Sequence, residues 1–428
     1  MTLSILSLQV DKMWGISYCT IVAVLLCVAL AAPHDGDHAG HTEDHHHHLH
    51  HIAGEAHPQH SHGDEESCHK LAPHNADFAF TLYRSLSKAN TENMNIFFSP
   101  LGIATSLAML SLGAKGDTHS QLYSTLGYGA FTPEQVNNAY EHLYHMLGHT
   151  GEAMQLDMGN ALALRDGFKP LAKFLEDAKH FYASEGFTVD FKNPAEATAE
   201  INKFIAKKTQ DKITDMVKDL DPDTAMMLIN YVFFRGKWDK PFDATLTHKA
   251  DFKVDENTKV QVDMMKRTGR YELYQDQDNF TTVVILPYKG NSSMMVVLPN
   301  DGKMEHVEAF EHLFRTNVDI FMPKFSTSTS YSLGDHLKDM GVVSAFGDSA
   351  DFSAISEDTK LKVSKVTHKA VLSVDEKGTE AAAVTTIEIM PMSLPDTIML
   401  NRPFLLFILE DSTKSIVFMG KVTNPSSK

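Results

Sequence analysis

The sequence predicts an α+β fold, because helical patterns dominate its first half and strand patterns its second half. Phe78, Leu82 and Leu86 recur every four residues, as on one face of a helix. Residues 226–234 instead form a continuous apolar run with β-branched and aromatic members, which is typical of a strand buried on both faces. No fixed-period repeat or internal linker interrupts the 428-residue chain. We therefore expect one folded domain over residues 75–428.

The centre of the predicted core is a helix that follows Ser99. A serine side chain can cap the first turn of a helix, and Pro100 suits the first helical position. The segment is almost wholly apolar through Leu112 and ends before Gly113, so we expect a buried central helix. Further helices are predicted over residues 133–147, 171–181, 195–210 and 333–340. Further strands are predicted over residues 281–286, 294–298, 319–325, 361–375 and 404–409.

The N-terminal residues have the pattern of a secretory signal peptide. Residues 21–31 are apolar but too short to span a bilayer comfortably, and they end in Ala29-Leu30-Ala31, with the small residues of a cleavage site. We expect a signal peptide over residues 1–31, with Met13 as an alternative start, and hence a secreted, extracellular protein. Only Cys68 of the three cysteines would then remain, so no internal disulfide is expected.

Residues 32–74 are rich in His, Asp, Glu and Gly and offer few apolar side chains to bury, so we expect a disordered tail. Neutral imidazoles are good Zn²⁺ or Cu²⁺ ligands, and one hypothesis is that this tail binds metal. The alternative is a solvated tail that binds metal no better than any polyhistidine. No fixed ligand set and no cofactor are predicted. The candidate ligands are His45, His46, His47, His48, His50 and His51.

Charge and surface motifs limit the partners. The net charge of −17 disfavours general binding to nucleic acid or to anionic membranes. The helix predicted over residues 133–147 is acidic and neutral rather than basic, so heparin binding is not expected. Two N-x-Ser/Thr triplets, at Asn279 and Asn291, predict N-glycosylation. We expect a monomer.

The catalytic motifs of common enzyme classes are missing from the sequence. It contains no G-x-S-x-G elbow, P-loop, G-x-G-x-x-G or H-E-x-x-H pattern. Residues 347–350, Gly-Asp-Ser-Ala, match part of a trypsin-like nucleophile segment but lack its second glycine. His368 lies in an apolar-rich strand and is predicted to be a hydrogen-bonded core histidine rather than a general base. We do not expect an enzyme.

Residues 377–393 form an unusual strand candidate. No glycine follows Gly378 and no proline occurs before Pro391, so the segment can extend. Alternate residues from Thr379 to Ile389 would share a buriable face. The small side chains of residues 381–383 provide no bulk to anchor the segment in a core. An ordinary half-buried strand that ends in a turn is the alternative interpretation.

Several stretches of the sequence, in order, resemble the serpin family, and in particular its vertebrate extracellular members. They lie at residues 95–100, 107–113, 230–238, 368–371, 375–381, 401–404 and 418–421. The resemblance implies three β-sheets with about nine helices and an exposed reactive-centre loop. It also implies suicide inhibition of serine proteases, in which the cleaved loop inserts into the central sheet while the protease remains attached as an acyl-enzyme.

The resemblance also implies roles for individual residues. The protease would cleave between Met392 and Ser393. The hinge of the inserting loop would comprise Glu376, Gly378, Thr379, Ala381, Ala382 and Ala383. A polar cluster beneath the opening of the central sheet would comprise Ser99, Asn230 and His368, and Trp238 would lie where the loop enters. A second serine usual in that cluster is Gly102 here, so we expect Gly102→Ser to raise the unfolding temperature.

The uncharged side chain of Met392 suits an apolar specificity pocket, so elastase-like and chymotrypsin-like proteases are the expected targets. The alternative from another class is a non-inhibitory serpin that carries a hormone or other small molecule. The small residues at 381–383 favour inhibition, because the hinges of such carriers tend to hold bulky, charged or proline residues. Val384 and the pair Thr385-Thr386 are bulkier than the residues of many inhibitor loops and weaken that preference slightly.

Overall fold

The computed structural model describes residues 67–90, 94–148, 154–278, 280–303, 314–357, 360–378 and 395–427. Several predicted features lie outside these ranges: the signal peptide, the histidines at 45–51, Asn279, and the loop segment that holds Thr379, Ala381, Ala382, Ala383, Met392 and Ser393. The remaining predicted site residues all lie within the described part of the chain.

Seven α-helices are present in the described ranges, against about nine that the resemblance implies. They are α1 (Ser67–Ala89), α2 (Pro100–Ser111), α3 (Gly116–Leu126), α4 (Pro133–Gly148), α5 (Ala172–Tyr182), α6 (Pro194–Lys208) and α7 (Gly334–Asp339). Short 3₁₀ turns occur at Ala244–Leu246 and Ser344–Phe346. Every residue of α2 is buried, which confirms the predicted central helix. None of the helices in these ranges has the length and apolarity needed to cross a bilayer.

Helix α1 begins earlier than the sequence predicts. The expected boundary between tail and domain is at residue 75, but the helix starts at Ser67 and passes through Pro73. Cys68, Leu71 and Ala72 are spaced so that they lie on one side of the helix, and all three are buried. Residues 67–74 therefore belong to the folded domain, because these side chains pack into its core.

The strands are β1 (Ile96–Phe98), β2 (Met154–Arg165), β3 (Glu185–Val189), β4 (Met226–Gly236), β5 (His248–Lys253), β6 (Lys259–Asp276), β7 (Thr281–Pro287), β8 (Ser292–Pro299), β9 (Phe314–Pro323), β10 (Phe325–Ser332), β11 (Lys365–Val374), β12 (Asp396–Met399), β13 (Phe404–Glu410) and β14 (Ser415–Val422). The strand predicted over 319–325 spans the junction at Lys324 between β9 and β10, which belong to different sheets. The strand predicted over 361–375 begins only at Lys365.

These strands form two hydrogen-bonded sheets among the described residues, not three. The larger sheet has nine strands in the order β1-β14-β13-β8-β7-β6-β9-β12, with β5 also paired to β6. Strand β6 is 18 residues long and pairs with β5 near its start, with β9 along its middle and with β7 near its end. This one long strand therefore joins what would otherwise be two separate sheets.

The smaller sheet has five strands in the order β10-β11-β4-β2-β3. Its central pair, β11 and β4, is parallel, whereas β10 is antiparallel to β11 and β2 is antiparallel to β4. Helix α2 contacts β4 and β2 from one side. On the opposite side, α6 covers them through an apolar cluster that includes Ile201, Ile205, Met227 and Ile229. The five-stranded sheet is thus enclosed by helices on both faces of its β2–β4 half.

Candidate functional site

The five-stranded sheet is open at one end of its central pair. The ladder between β11 and β4 runs from Lys365 opposite Met227 to Val371 opposite Phe233. Both strands continue beyond this point, but each stays paired with its outer neighbour. Residues 372–374 pair with β10, and residues 234–236 pair with β2. The two middle strands therefore separate at the end where the chain leaves β11.

A tight turn at residues 375–378, the hinge turn, lies over this opening. The Gly378 amide donates to the Asp375 carbonyl at 3.2 Å, and the Asp375 amide donates back to the Gly378 carbonyl at 3.3 Å. Gly378 has φ of 98°, a left-handed conformation that favours glycine. A Cβ atom built there would lie 2.2 Å from the Gly236 carbonyl oxygen, so the turn rests directly on the end of β4.

Trp238 holds the hinge turn in place. Its indole Nε1 donates to the Asp375 carbonyl at 2.9 Å, and its backbone amide donates to the Lys377 carbonyl at 3.3 Å. The ring stacks on Tyr288 with centroids 4.3 Å apart and packs edge-on against Phe242. Trp238 is only 2% exposed, so this aromatic stack is a fixed support beneath the hinge. The structure thus brings together the predicted hinge and the predicted entry-point tryptophan.

Glu376 ties the hinge turn to two further segments. Its carboxylate accepts from Lys324 Nζ at 2.8 Å and from Thr247 Oγ1 at 2.8 Å. Its backbone carbonyl accepts from the Phe242 amide at 2.7 Å. Burial alone would raise the pKa of Glu376, but the hydrogen bonds from Lys324, a backbone amide and Thr247 outweigh it and lower that pKa. The charged carboxylate therefore fastens the hinge to the junction of β9 and β10.

A row of polar side chains crosses the middle of the five-stranded sheet. His368 on β11 lies opposite Asn230 on β4, and Asn230 lies opposite Asn160 on β2. His368 Nδ1 is 2.7 Å from Asn230 Oδ1, and Asn230 Nδ2 donates to Asn160 Oδ1 at 2.8 Å. All three residues are buried. We call these residues, with Ser99 and Ser106 on the helix side, the central polar cluster.

Ser99 joins the row to the N-terminus of α2. Its backbone amide donates to His368 Nε2 at 3.0 Å, and its hydroxyl donates to the Val417 carbonyl at 2.6 Å. The same hydroxyl accepts from the Gly102 amide at 3.1 Å, which is the predicted helix cap. Ser99, Asn230 and His368 therefore lie together in the structure, and hydrogen bonds link Ser99 to His368 and His368 to Asn230.

The protonation state of His368 follows from its partners. The Ser99 amide needs an acceptor, so Nε2 carries the lone pair and Nδ1–H donates to Asn230 Oδ1. Burial lowers the pKa of His368 to about 3. The imidazole is therefore neutral at physiological pH, as a core histidine should be, and it has no free nitrogen with which to act as a base.

The sequence reasoning missed Asn160, Ser106 and Tyr144. Ser106 Oγ hydrogen-bonds Asn160 Oδ1, and Asn160 Nδ2 donates to Tyr144 OH at 3.0 Å. A signal was available: an asparagine within the apolar run of residues 158–164 must find hydrogen-bond partners if it is buried. These residues extend the cluster from β11 across the sheet to α4.

Gly102 does not leave the cluster incomplete. A Cβ atom at this position would lie 2.7 Å from Asn230 Oδ1 and 2.8 Å from Val232 Cγ2. Ser106, one helical turn later, supplies a hydroxyl that reaches Asn160 instead. The expectation that Gly102→Ser would stabilise the protein therefore conflicts with the packing, because Asn230 and Val232 occupy the space that the new side chain needs.

The other predicted positions lie away from this site. Asn291 is exposed in the turn between β7 and β8, and Cys68 is a buried free thiol whose pKa is raised to about 11 by burial. In the ranges that the structure covers, no group of three or more His, Cys, Asp or Glu side chains is arranged to hold a metal ion. The predicted metal-binding histidines lie outside those ranges.

Comparison with known proteins identifies relatives over most of the chain. The family model described as "Serpin (serine protease inhibitor)" matches residues 73–425. An alpha-1-antitrypsin homolog of Cyprinus carpio is 60% identical over 80% of this chain and 95% of its own length. Alpha-1-antiproteinase 2 of Equus caballus is 44% identical over 86% of this chain and 90% of its own. Human thyroxine-binding globulin, solved with thyroxine, superposes with a TM-score of 0.80 at 41% identity over 84% of this chain and 100% of its own.

Proposed function

Because this chain belongs to the serpin family, we propose that it is a secreted suicide inhibitor that traps a serine protease by inserting its cleaved loop between β11 and β4. Its relatives are serine protease inhibitors and not enzymes, and serine proteases are the partner class that they indicate. One observation carries the insertion step: β11 and β4 already separate beyond Val371 and Phe233, beneath the hinge turn.

The topology suits the insertion of one strand. The two middle strands are parallel, and the chain leaves β11 at the open end. A segment that turned back at Gly378 would run antiparallel to both strands, so each half of the sheet would gain a well-formed antiparallel ladder. About ten new backbone hydrogen bonds at roughly 1 kcal/mol each would provide a driving force on the order of 10 kcal/mol.

The chemistry begins at the bond between Met392 and Ser393. The catalytic serine oxygen of the protease bonds to the Met392 carbonyl carbon, and the bond to the Ser393 nitrogen breaks, with the proton passing to the new amine. The released loop then inserts and carries the attached protease with it. Distortion of the protease oxyanion hole slows hydrolysis of the acyl-enzyme, since loss of one donor costs about 100-fold or more.

Target preference follows from the side chain that enters the specificity pocket. Met392 is long and uncharged, so it fits an apolar pocket and leaves the carboxylate of a trypsin-like pocket unpaired. We therefore infer elastase-like or chymotrypsin-like targets. Oxidation of Met392 to its polar sulfoxide should weaken inhibition of such proteases. Secretion and glycosylation at Asn279 and Asn291 belong to the same proposal and are supported by the signal-peptide pattern and the two N-x-Ser/Thr triplets. A monomeric state is proposed with them.

The test is a covalent complex on denaturing gels. The purified protein is mixed with neutrophil elastase and, separately, with chymotrypsin. We expect a band at the summed mass and a released peptide whose N-terminal residue is Ser393. Met392→Arg should transfer trapping to a trypsin-like protease. Thr379→Arg, which places a bulky charge in the inserting segment, should be cut at the same bond without trapping. Clean cleavage of the unmodified protein with no complex would refute the proposal.

A carrier function is the second candidate, and two observations favour it. Human thyroxine-binding globulin, with its bound thyroxine, is 41% identical to this chain. A cavity of about 530 Å³ lies beside Trp238, lined by Phe242 and Tyr271 together with Arg270 and Arg315. That volume is within the range of small-molecule sites. If the loop were cut without trapping or added heat resistance, and thyroxine quenched Trp238 fluorescence at micromolar concentration, the carrier function would replace inhibition.

A further inference from the structure

We propose that a polar cavity on the α6 side of the five-stranded sheet binds a tetrahedral oxyanion, that is, a sulfate or phosphate group. The cavity lies between strands β10 and β11 and residues 215–218, and its volume is about 220 Å³. Liquid water occupies roughly 30 Å³ per molecule, so this space accommodates an oxyanion with several bridging waters.

The strand register places hydroxyl and ammonium groups on one wall. Ser330 on β10 lies directly opposite Lys369 on β11, and Ser332 lies opposite Thr367. Alternate residues of a strand share a face, so Lys365 points to the same side as Thr367 and Lys369. These residues all line the cavity. The β10–β11 half of this face is therefore polar, whereas α6 covers the β2–β4 half through apolar contacts.

Two buried groups lie on this wall, and one of them, the Thr367 hydroxyl, lacks a partner among the described residues. The Thr367 side chain is only 4% exposed, and its Oγ1 has no hydrogen-bond partner among the described residues. A buried hydroxyl without a partner destabilises the fold, because it loses its hydrogen bonds to water and gains none in the protein. The Lys369 side chain is 8% exposed, and its ammonium donates to Asp215, whose own side chain is more than half exposed. An oxyanion in the cavity would accept hydrogen bonds from both groups.

The balance of charge favours an anion over a cation. The lining residues that the structure describes include three lysines, Lys218, Lys365 and Lys369, and one carboxylate, Asp215. The hydrogen bond from Lys369 lowers the pKa of Asp215, so this carboxylate stays ionised and holds the ammonium at the cavity wall. An excess of positive charge remains, in a chain whose net charge is −17. Charge-assisted hydrogen bonds from ammonium groups are the strong contacts of such sites.

The two walls of the cavity belong to parts of the molecule that the proposed inhibitory mechanism would move apart, and this consequence rests on the proposed function. One wall belongs to β10 and β11, and the other belongs to the connection that leads from α6 into β4. That connection is fixed to α6 because Asn202 Oδ1 accepts from the Val217 amide at 2.9 Å and Asn202 Nδ2 donates to the Val217 carbonyl at 3.0 Å. Inserting a strand moves β11 away from β4 by about 4.8 Å. The bound anion should therefore prefer the intact form.

Binding is tested on the full-length mature protein by calorimetric titration with sodium sulfate and sodium phosphate at constant ionic strength set with chloride. Glucose 6-sulfate tests whether the group is also accepted as an ester. We expect saturable binding that Lys365→Gln weakens about tenfold and Thr367→Val weakens several-fold. The charge-matched control Lys173→Gln, on the exposed surface of α5, should leave the dissociation constant unchanged.

Thr367→Val also provides an internal check on folding. Without anion it should unfold at the same or a higher temperature, because it removes a buried unpaired hydroxyl. The site would be overturned if sulfate and phosphate gave no more binding heat than chloride. It would also be overturned if Lys365→Gln, Thr367→Val and Lys173→Gln all bound the anion with the same affinity. Equal affinity in the intact and loop-cleaved forms would overturn only the coupling to insertion. Anion binding in a protein that fails to trap proteases would leave the site standing and refute the inhibitory function instead.

Discussion

His368 on β11 and Asn230 on β4 are joined side chain to side chain, with Nδ1 and Oδ1 2.7 Å apart, across the parallel pair β11–β4 of the five-stranded sheet. A strand inserted between β11 and β4 would separate these two residues by the width of a strand. The central polar cluster therefore stabilises the closed sheet specifically, and it must break for insertion to proceed.

The buried histidine should make stability depend on pH. The pKa of His368 is about 3 in the folded protein and near 6.5 in the unfolded chain, so only the unfolded state binds the proton between these values. Stability from this group is complete above pH 6.5 and falls by about 1.4 kcal/mol per unit as pH decreases toward 3. Unfolding in urea from pH 7.5 to 5 should show a steeper loss in the natural protein than in His368→Gln. Parallel curves would contradict this assignment.

Asn160 should contribute as much to the stability of the folded protein as the cluster residues that the family resemblance implies. Asn160→Ala removes the Oδ1 that accepts from Asn230 Nδ2 and from Ser106 Oγ, and it leaves these donors with only the Gly159 and Gly102 carbonyls, at 3.3 Å and 3.1 Å. Since each lost hydrogen bond contributes about 1 kcal/mol and the missing side chain leaves a buried cavity, we expect the unfolding free energy to fall by about 2–4 kcal/mol. Chemical denaturation is the measurement. Asn257→Ala, in an exposed turn, is the control and should change stability by less than about 0.5 kcal/mol.

Gly102→Ser should lower the unfolding temperature, contrary to the expectation from the family resemblance. The new Cβ would come within 2.7 Å of Asn230 Oδ1 and force that side chain away from His368. We expect a loss of about 1–3 kcal/mol, the usual cost of overpacking a core. Scanning calorimetry of Gly102→Ser beside Gly102→Ala separates the added hydroxyl from the added bulk. A higher unfolding temperature for the serine variant would mean that Asn230 can reposition and keep its hydrogen bonds.

The ion pair between Glu376 and Lys324 should restrain the hinge turn. Glu376→Gln removes the negative charge of the pair and Lys324→Gln removes its positive charge. Together with the double variant they complete a thermodynamic cycle. The Lys324 side chain is more than one-third exposed, so we expect a coupling energy of no more than about 1 kcal/mol. The more sensitive readout is the rate of self-association near 45 °C, which should increase in each single variant. Equal rates in all four proteins would exclude a restraining role.

The sequence predicted the parts of the fold that local patterns specify. The apolar run at 226–234 lies within β4, and the Ser99-Pro100 pair begins α2 as expected. Strand β2 was not predicted, because its alanines and leucines are good helix formers and its strand character comes from pairing with β4 and β3. The start of α1 was missed for a related reason: a proline and several histidines obscure its buried apolar residues.

The site was only partly predictable for a different physical reason. Family resemblance named Ser99, Asn230 and His368, but the partnership of Asn160 with Asn230 depends on the register between two strands far apart in the chain. Whether a serine fits at position 102 is likewise a property of packing, since Asn230 and Val232 occupy the space that its side chain would need. Neither contact can be predicted from the local sequence, because each depends on residues that are far apart in the chain.

The most direct test of loop insertion compares the heat stability of the intact protein with that of the protein cleaved within residues 379–394 by a protease that is not trapped, such as papain. A driving force on the order of 10 kcal/mol should raise the unfolding temperature of a domain of this size by roughly 13 °C, since the unfolding entropy is about 2.1 cal/mol/K per residue. Thr379→Arg, cleaved in the same way, should show a much smaller rise. An unchanged unfolding temperature in the cleaved natural protein would mean that no strand enters between β11 and β4, and it would contradict the inhibitory mechanism.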